Sequence, residues 1–411
     1  MTTGRMTQQI LPQHISNLRD DRQDELTWAV EGDHTTLDLA GLEPDALDRA
    51  MMRRCLALAR QGWGRTAPNP LVGAVIVQGG KIVGEGFHPQ AGMPHAEVYA
   101  LTMAGKLAQG ATAYVSLEPC NHYGRTPPCS KALVEAQVRR VVVGMVDPNP
   151  KVAGGGIKRM ERAGIAVTVG VEEAACQLIN ESFVHRIRHG RPLGILKYAM
   201  TLDGKIGTTS GDSAWVTESL ARSQVHHLRS GCDAIVVGSN TVRQDNPYLT
   251  SHSPSAPNPI RVVMSRQLDL PKHNSSGDRL HLWNPDLAET VVLTETNANP
   301  EFQTWLRDQG ITVVECEEVT PAAAMKYLGD RGALSVLWEC GGTLAAQAIA
   351  QGAVQKVIAF IAPKIVGGTT APIPVGDLGI TTMTDALVLE RMTFEAIGSD
   401  WVVTGYLPTA P

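Results

Sequence analysis

Gly92-Met93-Pro94-His95-Ala96-Glu97, answered downstream by Leu117-Glu118-Pro119-Cys120 and Cys129, is the pattern around which the rest of the chain is arranged. One imidazole and two thiolates fill three positions of a tetrahedral zinc ion and leave the fourth for water. The metal lowers the pKa of that water toward neutrality, which makes hydroxide available as a nucleophile. Glu97 does not easily reach the same metal face from two residues after His95, and it suits a proton shuttle better. A helical pattern follows His95 through Val98, Leu101, Met103 and Leu107. A strand from Ala111 to Leu117 runs straight into Glu118-Pro119-Cys120, and Cys129 opens a further helix to Val138. Strand ends and helix starts are where an α/β fold gathers its site.

Composition sets the frame. A chain of 411 residues is long enough for two or three domains, each with its own core. Apolar residues make up 43% and charged ones 19%, the balance of a soluble globular enzyme. The net charge of −5, with no long Lys/Arg run, argues against a nucleic-acid stripe. No apolar run approaches the roughly 20 residues of a membrane helix. The N-terminus lacks the apolar core of a secretory signal and carries acids, which argues against a transit peptide. Of seven cysteines, Cys55, Cys176, Cys232, Cys316 and Cys340 lie outside the metal pattern. They are expected to be reduced core residues in a cytoplasmic protein.

Residues 1–43 are polar, without sustained periodicity, and read as a flexible extension or docking arm. A helix is expected over Pro44–Arg60, with Leu47, Met51, Cys55 and Leu58 on its apolar stripe. A hairpin of Leu71–Val77 and Ile82–Phe87 follows, then the metal-site elements, strands at Arg140–Val146 and Ile165–Val171, and one long helix over Glu172–Arg188. That order gives a layered α/β domain over 44–190. From 191 to 411 the pattern of strand, loop and helix repeats and argues a second α/β domain. A strand from Leu193 is expected to turn at Leu202-Asp203-Gly204 and resume. No G-x-G-x-x-G follows a strand. Gly341-Gly342-Thr343, between a buried strand and a helix, is either a natural anion seat or a plain tight turn.

The His-x-Glu, Pro-Cys and Cys order is that of zinc-dependent deaminases, but eight residues separate Cys120 from Cys129 where Cys-x-x-Cys is the common spacing. With Pro68-Asn69-Pro70, Asn121-His122-Tyr123-Gly124-Arg125-Thr126-Pro127-Pro128 and Asp147-Pro148-Asn149-Pro150, it closely resembles the bifunctional deaminase/reductase family of riboflavin biosynthesis. The second half resembles that family's reductase in Lys197 to Gly204, Ser213-Ala214-Trp215, Gly238 to Val242, Asp245 to Leu249 and Glu339 to Thr343.

The resemblance implies a cytidine-deaminase-like three-layer domain followed by a dihydrofolate-reductase-like domain. It implies one Zn²⁺ on His95, Cys120 and Cys129, with Glu97 moving protons, and NADPH in the second domain. Its substrate class is a pyrimidine ribotide, 2,5-diamino-6-(5-phosphoribosylamino)pyrimidin-4(3H)-one, which is deaminated and then reduced at its ribose. NADPH would be faced by Ala199, Trp215, Thr241, Asp245, Ser265, Gly341, Gly342 and Thr343. Substrate would be faced by Ser213, Arg229, Leu249 and Glu339, with Lys197 beside Glu339 as an ionisable candidate. Arg229 suits a phosphate clamp because a guanidinium binds phosphate bidentately. Where the family offers an Arg after Leu249-Thr250, Ser251-His252 stand here, and Arg261 is a candidate replacement.

Some residues keep two readings. Asn69 is a turn residue or a substrate contact. Arg125 and Lys151 are phosphate contacts or solvated charges, and His122 is a substrate contact, a neighbour of the ligands or solvated. A homo-oligomer is expected. Two other function classes compete: a deaminase of nucleosides or tRNA with an idle second half, and a module that keeps zinc only for structure. The acidic balance and long zinc loop argue against tRNA. A closed structural site needs four protein ligands, and three convincing ones are present.

Overall fold

The computed structural model describes residues 43–123, 127–150, 152–253 and 256–408. The expectations for residues 1–42, Arg125 and Lys151 lie outside them. The described residues form two sheets, one of five strands and one of nine.

The smaller sheet begins after α1 (Pro44–Ala59), whose Pro44 occupies the first helical turn and whose Met51, Met52, Cys55 and Leu58 are buried. Then come β1 (Gly73–Gln78), β2 (Lys81–Phe87), α2 (Ala96–Ala104), β3 (Thr112–Leu117), α3 (Cys129–Glu135), β4 (Arg140–Met145), α4 (Gly155–Arg162) and β5 (Ala166–Val169). The strand order is β2-β1-β3-β4-β5, antiparallel through β2-β1-β3 and parallel from β3 onward. Side chains alternate across the sheet with the period of a strand. Ile76, Val115 and Val143 pack on one face, and Val75, Tyr114 and Val142 on the other.

The long helix expected over Glu172–Arg188 is two helices, α5 (Glu173–Ile179) and α6 (Glu181–His189). Asn180 breaks it. Its side chain mimics a peptide group, accepting from Leu71 N–H at 2.8 Å and donating to Leu71 C=O at 2.9 Å. Periodicity alone does not reveal this break, because the apolar stripe continues across it.

The larger sheet takes β6 (Leu193–Thr201), α7 (Ser219–Gly231), β7 (Ala234–Gly238), α8 (Ser239–Asp245), β8 (Ile260–Met264), β9 (Thr290–Glu295), α9 (Pro300–Asp308), β10 (Thr312–Cys316), α10 (Pro321–Asp330), β11 (Ser335–Trp338), α11 (Gly342–Ala350), β12 (Lys356–Ala362), β13 (Glu390–Ile397) and β14 (Asp400–Tyr406). Its order is β10-β9-β8-β7-β11-β6-β12-β14-β13, parallel except where β14 joins β12 and β13. Ile235, Val263 and Leu337 fill one face, and Val236, Val262 and Trp338 the other. Burial on both faces explains the near-continuous apolar runs of these strands.

The strand from Leu193 does not resume after its turn. Asp203 takes Thr201 Oγ1 at 2.6 Å and the Gly367 N–H at 2.7 Å, which ties the turn to the loop after β12 instead. All seven cysteines are free thiols, and Cys316 is partly exposed rather than core, since β10 is an edge strand.

Candidate active site

His95 N-caps α2 with extended backbone, so its ring projects from the helix start toward the end of β3. Its Nδ1 lies 3.6 Å from Cys120 Sγ and 3.3 Å from Cys129 Sγ. Tetrahedral zinc with ordinary Zn–N and Zn–S bonds sets ligand separations of about 3.6–3.8 Å. The Cys120 distance matches, the Cys129 distance is a few tenths of an ångström short, and all three donors lie within 4.8 Å of one another, close enough to share one ion. Cys120 is prepared for it. The Cys129 thiol and His95 draw Cys120 below the ordinary thiol range, and the same contact with burial pushes Cys129 up. The Cys129 backbone N–H also points at Cys120 Sγ, at 3.3 Å.

Glu97 is buried one residue inside α2 and interacts with the Cys129 side chain. Burial pushes its carboxyl up to about 7, against the pull of His95. Two further residues brace the site. Glu118 sits in the sequence motif, yet the motif does not show its task. Its carboxylate accepts the N–H groups of Gly154 and Gly156, each at 2.9 Å, and pins the start of α4 behind the zinc loop. His88, which no spacing singles out, accepts from Asn69 Nδ2 at 3.1 Å through Nε2 and donates from Nδ1 to Pro94 C=O at 3.0 Å. Its ring stands edge-on to His95, with centroids 5.4 Å apart. Asn69 is a turn residue, its N–H closing on Thr66 C=O at 2.7 Å, and its amide is also braced beside the ligand loop. His122 is exposed.

In the larger sheet, the expected residues gather at carboxyl ends of parallel strands, where open α/β sheets bind ligands. Glu339 follows β11, Ser265 follows β8, and Thr241 lies just beyond β7; Lys197 and Ala199 lie within β6. Lys197, Arg229 and Glu339 form one cluster. Arg229 pairs with Glu339 through Nε to Oε1 at 2.7 Å and Nη2 to Oε2 at 2.9 Å, and Lys197 Nζ stands 3.4 Å from Oε2. Burial raises the Glu339 carboxyl, but the two cations outweigh it and hold it near about 2. Arg229 Nη1 also donates to Thr250 C=O at 3.3 Å. Of five guanidinium N–H groups, three are therefore engaged within the protein.

Ser213 and Asp245 come together, Oγ to Oδ1 at 3.5 Å. Trp215 is exposed, with the Arg222 guanidinium 4.6 Å above its ring. A Cβ at Gly342 would lie 2.5 Å from Ile373 C=O, whereas Gly341 faces open space at the start of α11. That helix start has no side-chain cap, which leaves its N–H groups to an anion such as a cofactor phosphate. Leu249 is 2% exposed and belongs to the core. One expectation is corrected. Arg261 is wholly buried and donates to the carbonyls of His281, Asn284 and Ala288, so it cannot bind phosphate.

Comparison with known proteins agrees with this division. Residues 45–145 match the cytidine and deoxycytidylate deaminase zinc-binding region, and residues 192–403 match the RibD C-terminal domain. Riboflavin biosynthesis protein RibD of Synechocystis sp. is 58% identical over 360 residues, covering 88% of this chain and 96% of that protein. The structure of Acinetobacter baumannii RibD superposes with a TM-score of 0.77 at 36% identity, covering 88% of this chain and 99% of that one. A diaminohydroxyphosphoribosylaminopyrimidine deaminase/5-amino-6-(5-phosphoribosylamino)uracil reductase from Thermotoga maritima gives a TM-score of 0.77 at 33% identity, covering 89% and 100%.

Proposed function

The chain belongs to the RibD family of bifunctional riboflavin-biosynthesis enzymes, and from that premise we propose how its two halves divide the chemistry. It is a zinc-dependent deaminase of the diaminopyrimidinone ribotide and an NADPH-dependent reductase of the deaminated product. In this reading residues 44–190 carry the deaminase and 191–411 the reductase.

His95, Cys120 and Cys129 would hold the metal, which would supply an activated water when bound. Glu97 would hold a proton at its buried carboxyl and deliver it to the leaving amine. Asn69, braced by His88, orients the pyrimidine. The observation that carries the reading is the convergence of three zinc-type donors beside a buried carboxyl.

NADPH supplies the hydride that reduces C1′ of the ribose. Ala199, Trp215, Thr241, Asp245, Ser265 and the Gly341–Thr343 loop are read as facing the cofactor, and Ser213, Arg229, Leu249 and Glu339 as facing the substrate. Glu339 is paired with both Lys197 and Arg229, which leaves the Lys197 ammonium as the ionisable candidate for the proton that balances the hydride. Two cations against one carboxylate leave one positive charge for the phosphorylated substrate. NADPH deuterated at C4 tests the step: deuterium at C1′ of the product supports it, and its absence there removes it.

A cytoplasmic setting belongs to the same proposal, supported by seven free thiols. A homo-oligomer does too. Its support is the edge strand β13, where Met392 and Phe394, with Trp401 on β14, lie exposed. Sedimentation of the full chain as a monomer would remove that part. Among the described residues no helix is long and apolar enough to cross a membrane.

A further inference from the structure

We propose that Trp63, on the loop after α1, is a positioning residue for the reductase: it fixes the turn of α7 that carries Arg229. This rests on reading Lys197, Arg229 and Glu339 as the reductase site. The Trp63 indole lies nearly parallel to the His227 ring, at 11° and 5.5 Å between centroids. Its Nε1 donates to His227 C=O at 3.3 Å. His227 lies near the end of α7, two residues before Arg229. Ser230 Oγ donates to the same carbonyl, at 2.7 Å.

The approach is close enough to require glycine on both sides. A Cβ at Gly231 would lie 2.1 Å from Trp63 Cε2, and one at Gly64, whose φ is +72°, would lie 1.9 Å from Ser230 C=O. A Cβ at Gly64 would also lie 3.0 Å from Pro257 Cγ. Thr250 C=O is the acceptor for Arg229 Nη1. Residues on both sides of Arg229 in its helical turn are thus held by one segment of the other half of the chain.

That segment also leads to the deaminase site. Asn69 lies six residues after Trp63, and a Cβ at Gly62 would lie 2.5 Å from His88 C=O. The segment that packs against α7 beside Arg229 thus also lies against His88 of the deaminase half. A two-pronged ion pair tolerates little displacement, and misplacement by about 1 Å costs on the order of a hundredfold in such sites.

The test uses the full-length, zinc-loaded enzyme with each half-reaction assayed alone: deamination without NADPH, and reduction of the deaminated ribotide with it. Trp63→Ala and Gly231→Ala are expected to lower reductase kcat/KM by about tenfold or more, chiefly through KM because Arg229 meets the substrate. Trp63→Phe, which keeps the stacked ring, restores most of it. Gly231→Ala is expected to lower reduction several-fold more than deamination, because it displaces the α7 side of the contact directly. Arg229→Lys is the control for the underlying reading. If it leaves reduction intact, the assignment of Arg229 fails. If it impairs reduction while Trp63→Ala and Gly231→Ala do not, the assignment stands and the positioning role is overturned. Equal losses in both half-reactions for Gly231→Ala, or no restoration by Trp63→Phe, also overturn it.

Discussion

Arg229 and Glu339 face each other in a two-pronged ion pair across 110 residues of sequence, with Lys197 on the same carboxylate. All three side chains are almost wholly withdrawn from water. Removing one partner of such a set leaves uncompensated buried charge, which costs about 3–5 kcal/mol. Glu339→Ala is therefore expected to destabilise the larger-sheet unit by that amount and abolish reduction, while deamination continues. Denaturant titration, with the two half-reactions assayed in parallel, checks both parts.

The same carboxylate gives a pH signature. Its value in the folded protein, about 2, lies below the ordinary 4.5. Its stabilising contribution is therefore complete above pH 4.5 and is lost as pH falls from there toward 2. The thermal midpoint of Glu339→Gln should lie below that of the unaltered chain by a constant margin near neutral pH. The margin should shrink only in acid. A margin that stays unchanged as the pH falls from 4.5 toward 2 would contradict the ion-pair account.

The zinc centre is legible in the amino-acid sequence because its donors cluster as short motifs, His95-Ala96-Glu97 and Pro119-Cys120, with Cys129 nearby. The order of elements is legible for a similar reason, since strands buried on both faces are short apolar runs. Long-range pairings are not. Nothing local marks Glu339 as the partner of Arg229, and Arg229 therefore reads as a phosphate clamp with all its donors available. Arg261 reads as a surface base because composition does not reveal that five carbonyls surround its guanidinium. Asn180 continues a helical stripe in sequence, and only tertiary contact with Leu71 shows why the helix stops there.

Asn180 offers a direct check of that contact. It is 3% exposed and satisfies both polar groups of Leu71, two residues after Asn69. Asn180→Ala should cost about 1–3 kcal/mol for each buried group left unpaired. It should also raise the deaminase KM more than it lowers kcat, because the Asn69 loop loses its anchor. Steady-state kinetics and denaturation of the same preparation separate the two effects.

The donor set predicts two separable failures. Cys129→Ser should lose zinc, read by metal analysis, and with it deamination. Glu97→Gln should keep the metal and lower deamination by about 10²–10⁴-fold, the usual worth of a proton shuttle. Reduction of the deaminated ribotide should survive both changes.

The central claim is two successive reactions on one chain. Its most direct measurement is the product mass after zinc-loaded protein meets the diaminopyrimidinone ribotide, with and without NADPH. The predicted result is exchange of an amine for oxygen in both cases, and gain of two hydrogens only with NADPH. Deamination without reduction would leave the zinc site standing and remove the reductase. An unchanged ribotide in both samples would contradict the claim at its root.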